Sequence, residues 1–290
     1  MLRLTWFPAV LASLALLLST PVSAAVAATV EAVKSPAWRD RDGLTVPLAA
    51  GMELKSGDVL RTGADARVYV MLAEGSRVKL GEAARFTFHT QSQRPEKSFR
   101  GALDIVAGAF RFTTGKLKKA LPRDLAIRVG TATIGIRGTD LWGKTDKDGD
   151  LVALLEGRIE ITRAGQTTEL AQPMTYFDAP SGKPAEVKPL DTETLVRLAR
   201  QTEIMAGDGA ARVRGKWRVL AATAASEDAA LELYDRIREA GFAARILPRR
   251  AEGDGWRYEL RLGGYSSAAE AEVAAVRLKA ATGLKPSVGR

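Results

Sequence analysis

The chain contains no cysteine. That excludes disulfides, thiolate metal sites, a cysteine nucleophile and a lipid anchor carried on a cysteine. Histidine is nearly absent as well: His89 stands alone, so no histidine cluster can hold a metal. The serines fall in no G-x-S-x-G nucleophile motif. Beyond the first segment, no apolar run approaches the ~20 residues that a membrane-spanning helix needs. What is present is ordinary for globular protein: 46% hydrophobic and 27% charged residues in 290. This is enough to bury real cores and too apolar for a disordered tail. The charge is basic, 43 Lys and Arg against 34 Asp and Glu, net +9, with pI about 9.8. The excess favours an anionic partner, although the basic residues are scattered among acidic ones, as on any solvated surface.

Residues 1–24, MLRLTWFPAVLASLALLLSTPVSA, have the three parts of a secretory signal. Arg3 supplies the positive start and Leu11 to Leu18 the apolar centre. Pro21 breaks any helix, and Val22-Ser23-Ala24 places small residues at a cleavage site. Ala25-Val26-Ala27 offers a second site, so the cut falls after Ala24 or Ala27. The expectation is an exported, periplasmic protein with no membrane span after cleavage.

From residue 29 to 189 the pattern is that of an all-β domain. Val68 to Leu72, Arg77 to Leu80, Arg85 to Phe88, Ala109 to Thr113, Leu125 to Val129 and Thr133 to Arg137 read as short strands. Leu151 to Leu155 and Arg158 to Thr162 follow, split by Glu156-Gly157. Glycine turns separate them at roughly ten-residue spacing, which implies a β-solenoid-like domain, or else a sandwich. Residues 190–213 read as a helix and linker: Asp191 is an N-cap, Leu195, Leu198 and Met205 recur at helical spacing, and Gly207-Asp208-Gly209 ends the helix. Residues 214–290 then alternate as β-α-β-β-α-β, an α+β order of the ferredoxin/RNP type. The strands are Trp217 to Ala222, Ala244 to Leu247, Trp256 to Leu262 and Pro286 to Val288. Ser226 and Ser267 cap the helices, and Glu270 completes a capping box with Ser267. The whole chain is therefore multi-domain.

Carboxylates near turns, Glu74, Asp140 and Glu156, are the candidates for acid–base chemistry, and each reads better as a turn-capping or solvated residue. His89 reads as a surface histidine. No catalytic residue, metal ligand or cofactor is expected, and the chain reads as non-enzymatic. The β-α-β-β-α-β order also belongs to RNA-binding domains, but those need aromatics on the central strands, which are missing here. The basic stretch GKLKKALPR at 115–123 reads as a solvated connection, so nucleic acid is not expected as a partner.

Residues 217–290 resemble the SPOR domain in length, element order and three local signatures: IREAGF at 237–242, RYELRLGGY at 257–265, and a second helix ending RLKAATGL. The resemblance implies binding to peptidoglycan, in particular to denuded glycan strands at division sites, hence a septal position. Strand alternation puts Val219, Ala221, Tyr258, Leu260 and Leu262 against the helices. It leaves Arg218, Leu220 and Ala222, with Arg257, Glu259 and Arg261, on the open face where that family holds glycan. The expected glycan-binding residues are Arg218, Leu220, Arg257, Glu259 and Arg261, since arginine offers sugars a planar fork of donors. Two positions depart from the family: Leu220 stands where Gln is frequent and Ala224 where an aromatic is frequent.

Residues 50 to 160 resemble the FecR domain through LKSGDVLRTG at 54–63, EGSRVKLG at 74–81, VAGAF at 106–110, VGTATIGIRGTDL at 129–141 and LEGRIEI at 155–161. Turn chemistry accounts for Gly57-Asp58 and Gly75-Ser76, and Thr139 and Asp140 are suited to turn amides. Familiar FecR proteins relay a signal to a sigma factor through a cytoplasmic part preceding a membrane helix. With an export signal at the start that role is disfavoured, and the resemblance implies an exported domain that contacts an envelope protein. The alternative to wall binding is an envelope scaffold or signalling protein that binds only protein partners.

Overall fold

The computed structural model describes residues 26–90, 99–115, 123–251 and 255–290. The signal-like segment 1–24 and most of the basic stretch at 115–123 lie outside them. In chain order the N-terminal strands are β1 (Ala28–Lys34), β2 (Ala37–Arg41), β3 (Leu44–Pro47), β4 (Glu53–Leu54), β5 (Val59–Thr62), β6 (Arg67–Leu72), β7 (Arg77–Leu80) and β8 (Arg85–Thr90). Then come β9 (Phe99–Thr113), β10 (Arg123–Val129), β11 (Ala132–Asp146), β12 (Gly149–Arg163), β13 (Gln166–Leu170), β14 (Thr175–Pro180) and β15 (Glu186–Pro189). Helix α1 (Thr192–Arg200) and β16 (Ala211–Arg212) lead to β17 (Trp217–Ala224), α2 (Glu227–Glu239), β18 (Arg245–Arg250), β19 (Trp256–Tyr265), α3 (Ala268–Thr282) and β20 (Ser287–Gly289).

The N-terminal strands pair in two series. One runs β1–β6–β7, through the second half of β9 and of β11, to the first half of β12, then β14 and β15. The other runs β3–β2–β5–β8, through the first half of β9, to β10, the first half of β11, the second half of β12 and β13. β9, β11 and β12 thus belong to both. Each changes partners at a glycine with left-handed φ: Gly108 (+86°), Gly138 (+60°) and Gly157 (+90°). At Gly108 a side chain would also meet Ala84, whose Cα lies 2.5 Å from where a Cβ would sit. The expected break at Glu156-Gly157 is therefore a bend inside one fifteen-residue strand, because glycine turns the backbone without ending the ladder. One core joins the two series. Phe86, Phe88, Phe110, Phe112, Leu103, Ile127 and Ile161 are all at most 1% exposed.

Segment 190–213 is more than a connection. Asp191 caps α1 by accepting from the Thr194 amide, as its sequence indicates. The helix stops at Arg200, however, well short of Gly207, and Met205 is 60% exposed. The chain instead lies along the outer face of the first series. Leu190 and Leu198 pack on Ala109, Trp142 and Ala153, and Ile204 packs on Ala32 and Tyr69. Glu203 fastens it: it receives Tyr69 Oη (2.8 Å), Lys79 Nζ (2.6 and 2.7 Å) and Arg111 Nη1 (3.3 Å). Burial pushes the Glu203 carboxyl up, but Lys79, Tyr69 and Arg111 outweigh it and hold the carboxyl below its usual value. Asp140, expected to cap turn amides, is occupied differently: Arg111 donates to it at 2.9 and 2.8 Å across the β9–β11 pair.

The C-terminal sheet has strand order β20-β17-β19-β18, antiparallel throughout. Both helices pack on one face, burying Val219, Ala221, Leu260 and Leu262 against Ala230, Ile237, Ala271 and Leu278. The two halves are joined through β16, which pairs with β1 (Val33↔Ala211) and meets β19 (Ala211↔Tyr265). Charges reinforce the seam. Lys34, 7% exposed, reaches Asp65 (2.8 Å) and Asp208 (3.0 Å), and Arg277 of α3 donates to Asp65 (2.6 Å) and to Ser35 O (2.7 Å). Glu270 does not close a capping box with Ser267. Its carboxylate accepts from the Gly207, Gly209 and Ala210 amides (2.8, 2.6 and 3.2 Å), because three free N–H groups of the strap lie within its reach. For Asp65, burial acts upward but Lys34 and Arg277 win, leaving its carboxyl below the usual value.

Two predictions follow from this architecture. Gly108→Ala should lower unfolding free energy by at least about 2 kcal/mol, from left-handed strain plus overpacking. Gly135→Ala, where nothing lies within 4 Å, should change it by no more than about 0.5 kcal/mol. Equal urea midpoints for the two would refute the bend assignment. Asp65 and Glu203 both titrate low in the folded state, so their contribution is complete above their ordinary values of 3.8 and 4.5 and is lost as pH falls through the lower folded values. Urea midpoints from pH 7 to 3 should therefore decline less steeply in the Asp65→Asn, Glu203→Gln double variant than in the wild type; parallel curves would refute it.

Candidate functional site

The open face of the C-terminal sheet is built by four short strands whose cross-strand pairs set its rows. Arg218 of β17 lies opposite Gly263 of β19 and Gly289 of β20. The next row holds Arg245, Arg261, Leu220 and Ser287, one from each strand. Leu247, Glu259 and Thr223 form the third, and Arg249 with Arg257 the fourth. Strand alternation alone put Ala222 on this face. A bulge between Leu220 and Ala222 overturns that: the register slips, Ala222 comes opposite Leu260 and packs into the helix-side core, and exposed Thr223 takes the open-face position. Ala224 follows it inward and is 7% exposed.

Glu259 lies beneath the arginines. It is 6% exposed, and Arg261 Nη2 (2.5 Å), Arg257 Nη2 (3.3 Å) and Arg249 Nε (3.5 Å) converge on its carboxylate. One buried carboxylate among three guanidiniums leaves the cluster cationic and fixes the spread of the arginine forks. Arg249 and Arg257 remain about half exposed, and Arg261 is 24% exposed, so each keeps donors for a ligand. Glu259 itself has almost no surface to offer.

The face opens into a cleft of about 510 Å³ at the seam with the N-terminal half. Arg218, Arg245, Arg249 and Arg261 line one side; Arg212 and Arg214 of the β16 segment, with Val33, Ser35 and Leu48 to Ala50, line the other. Of the five residues expected from sequence, Arg218 and Arg261 border this cleft, while Leu220, Arg257 and Glu259 lie farther along the face. The sequence pattern ends this strand at Leu247, just before Pro248, which leaves Arg249 outside it; Arg245 lies inside the strand but was not assigned to the open face. β18 is an edge strand, where the missing proline N–H costs no ladder bond, so it runs on to Arg250. Arg212 and Arg214 had no sequence signal at all; docking brings them here.

The carboxylates considered for acid–base work lie away from the cleft; Asp140 and exposed Glu156 stand opposite one another across the β11–β12 pair. Glu74 is fully buried and accepts from the Ser76 amide (2.9 Å) and hydroxyl (3.0 Å), a turn-capping arrangement. Asp140 is paired with Arg111, as above. His89 is half exposed with Nε2 at 3.3 Å from Asp104. Among the described residues no group of three or more His, Cys, Asp or Glu side chains is arranged to hold a metal, and no helix is long and apolar enough to cross a membrane.

Comparison with known proteins agrees with this division. The FecR protein family model matches residues 58–160, and the SPOR domain model matches residues 213–289. Both are non-catalytic domain families typical of envelope proteins. No curated protein sequence matches. Two crystal structures of a candidate anti-sigma factor from Parabacteroides distasonis ATCC 8503 are similar in part. One is 13% identical with a TM-score of 0.41, covering 67% of this chain and 95% of that one; the other is 12% identical with a TM-score of 0.40, covering 78% and 91%. The chain carries a FecR domain followed by a SPOR domain.

Proposed function

We propose that this is an exported, non-enzymatic envelope protein that binds peptidoglycan glycan through the open face of its SPOR domain, with the FecR domain as its sensing or protein-interaction module. The observation that carries the reading is the arginine cluster over Glu259. Guanidinium forks held at fixed spacing by a buried counter-ion suit the hydroxyl, acetamido and carboxylate oxygens of wall glycan. Leu220, between Arg261 and Ser287 in its row, adds an apolar surface for the C–H face of a sugar ring where a hydrogen-bonding side chain is frequent in the family.

The same reading takes the N-terminal half as a β-sandwich rather than a solenoid. Solenoid coils stack parallel strands, whereas among the N-terminal pairings described only β9–β10 is parallel. It takes the C-terminal half as a ferredoxin-like β-α-β-β-α-β unit. It also takes residues 1–24 as a signal peptide, cut after Ala24. Ala27 is fully buried, its amide donating to Leu54 O (2.9 Å) and its carbonyl accepting from the Ala73 amide (3.0 Å), so a cut after Ala27 would remove a core residue.

The mature chain should co-sediment with purified sacculi, and Arg257→Ala with Arg261→Ala, made together with Glu259→Gln so that no buried carboxylate loses its counter-ions, should weaken binding about tenfold relative to Glu259→Gln alone, as expected for lost charge-assisted hydrogen bonds. Unchanged binding would remove the open face as the site; no binding at all would turn the search to protein partners. Mass spectrometry of the exported protein should find Ala25 at its N-terminus, and an N-terminal Ala28 would contradict the cleavage assignment.

A further inference from the structure

We infer that the cleft at the seam of the two domains is a composite site for a carboxylate-bearing wall glycan, gripped by arginines from outside the SPOR sheet as well as within it. This rests on the peptidoglycan reading above and extends it to a second set of residues and to a charge requirement.

The case is electrostatic. Arg212, Arg214, Arg218, Arg245, Arg249 and Arg261 line one concavity, and no acidic residue lines it among those described. Several arginines elsewhere on the molecule are ion-paired, among them Arg77 with Glu31, Arg111 with Asp140 and Arg128 with Asp104. In the cleft Arg214, Arg218 and Arg245 have no carboxylate within reach among the described residues, and the Nε of Arg261 has no acceptor. Gathering unpaired like charges in one hollow costs stability, and an anionic ligand reverses that cost. The volume, about 510 Å³, falls within the ~300–1,000 Å³ of small-ligand clefts. Val33, Leu48, Ala49 and Ala50 add apolar surface beside Arg212 and Arg214, which lowers the local dielectric and strengthens each charge contact.

Peptidoglycan sugars are themselves uncharged while the stem peptide is attached through an amide. Hydrolysis of that amide leaves a carboxylate fixed to the sugar, repeated along the strand. A cleft of cations distinguishes that product from the intact glycan. Arg212 and Arg214 are held in place by the pairing of β16 with β1, so the site exists only while the FecR domain is docked, and a ligand bound there stabilises the docked state by mass action.

The test uses the whole mature chain and three probes: intact sacculi, amidase-stripped sacculi, and stripped sacculi whose carboxylates have been amidated chemically. Arg214→Asn keeps the left-handed backbone (φ 70°) that asparagine tolerates, and Arg245→Gln removes a charge from an exposed strand edge. Stripped sacculi should bind most tightly, amidation should abolish that gain, and each variant should lose about threefold to tenfold on stripped sacculi only. Lys183→Gln, on an exposed turn of the FecR half, should lose nothing. Wild-type affinity in both arginine variants, indifference to amidation, or an equal loss in Lys183→Gln would overturn the composite site. If Arg257→Ala with Arg261→Ala, in the Glu259→Gln background, still weakened binding in that case, the open-face reading would stand alone. Absence of binding to every sacculus preparation would overturn both.

Discussion

β16, two residues long, carries the arrangement on which the rest depends. Its backbone is hydrogen-bonded toward β1 on one side and β19 on the other, so the two sheets cannot turn freely about the connection. Two pairs in a ladder would be weak alone. They are backed by Lys34, buried between Asp65 and Asp208, by Arg277 on Asp65, and by Glu270 on three strap amides. A buried ammonium is tolerated only when fully paired, and breaking one partner leaves an uncompensated charge. The seam therefore favours one orientation strongly, and the cleft inherits its shape from that orientation.

Within the FecR half the governing constraint is that three long strands serve two layers at once. β9, β11 and β12 cross from one series of pairs to the other at Gly108, Gly138 and Gly157. A single phenylalanine-rich core can then be shared by both layers. Apolar side chains left on the outer face of the first layer, Tyr69, Trp142 and Ala153 among them, would be exposed without the strap that covers them. The covering segment is the same one that continues into β16, so covering this face and orienting the SPOR domain are one structural act.

In the SPOR half, the helix caps at Ser226 and Ser267, the turn at Gly241, the element order and the faces of Val219, Leu260 and Leu262 were all legible in the sequence. Their causes are local: a side-chain oxygen meeting a free amide, a left-handed glycine, a period of two. The same logic identified Arg218, Arg257 and Arg261 as open-face residues. It failed at Ala222, because a bulge depends on how two strands are paired and leaves no mark in either alone. It failed at Arg249, because whether a proline ends a strand depends on whether that strand is an edge. It misjudged Glu270 and Asp140, whose carboxylates took partners distant in the chain over the nearby amides for which their spacing qualified them.

The sequence by itself determined the kinds of element, their order, the two domain families, the absence of cysteine and the near absence of histidine, since these rest on composition, periodicity and near-neighbour chemistry. Only the tertiary structure decided that Glu259 lies under three arginines, that segment 190–213 is a strap, and that Arg212 and Arg214 face the SPOR sheet across a shared cleft. The strap and the cleft arise from contacts spanning tens to hundreds of residues, and the Glu259 cluster, though its members lie close in the chain, from a burial that no local pattern encodes.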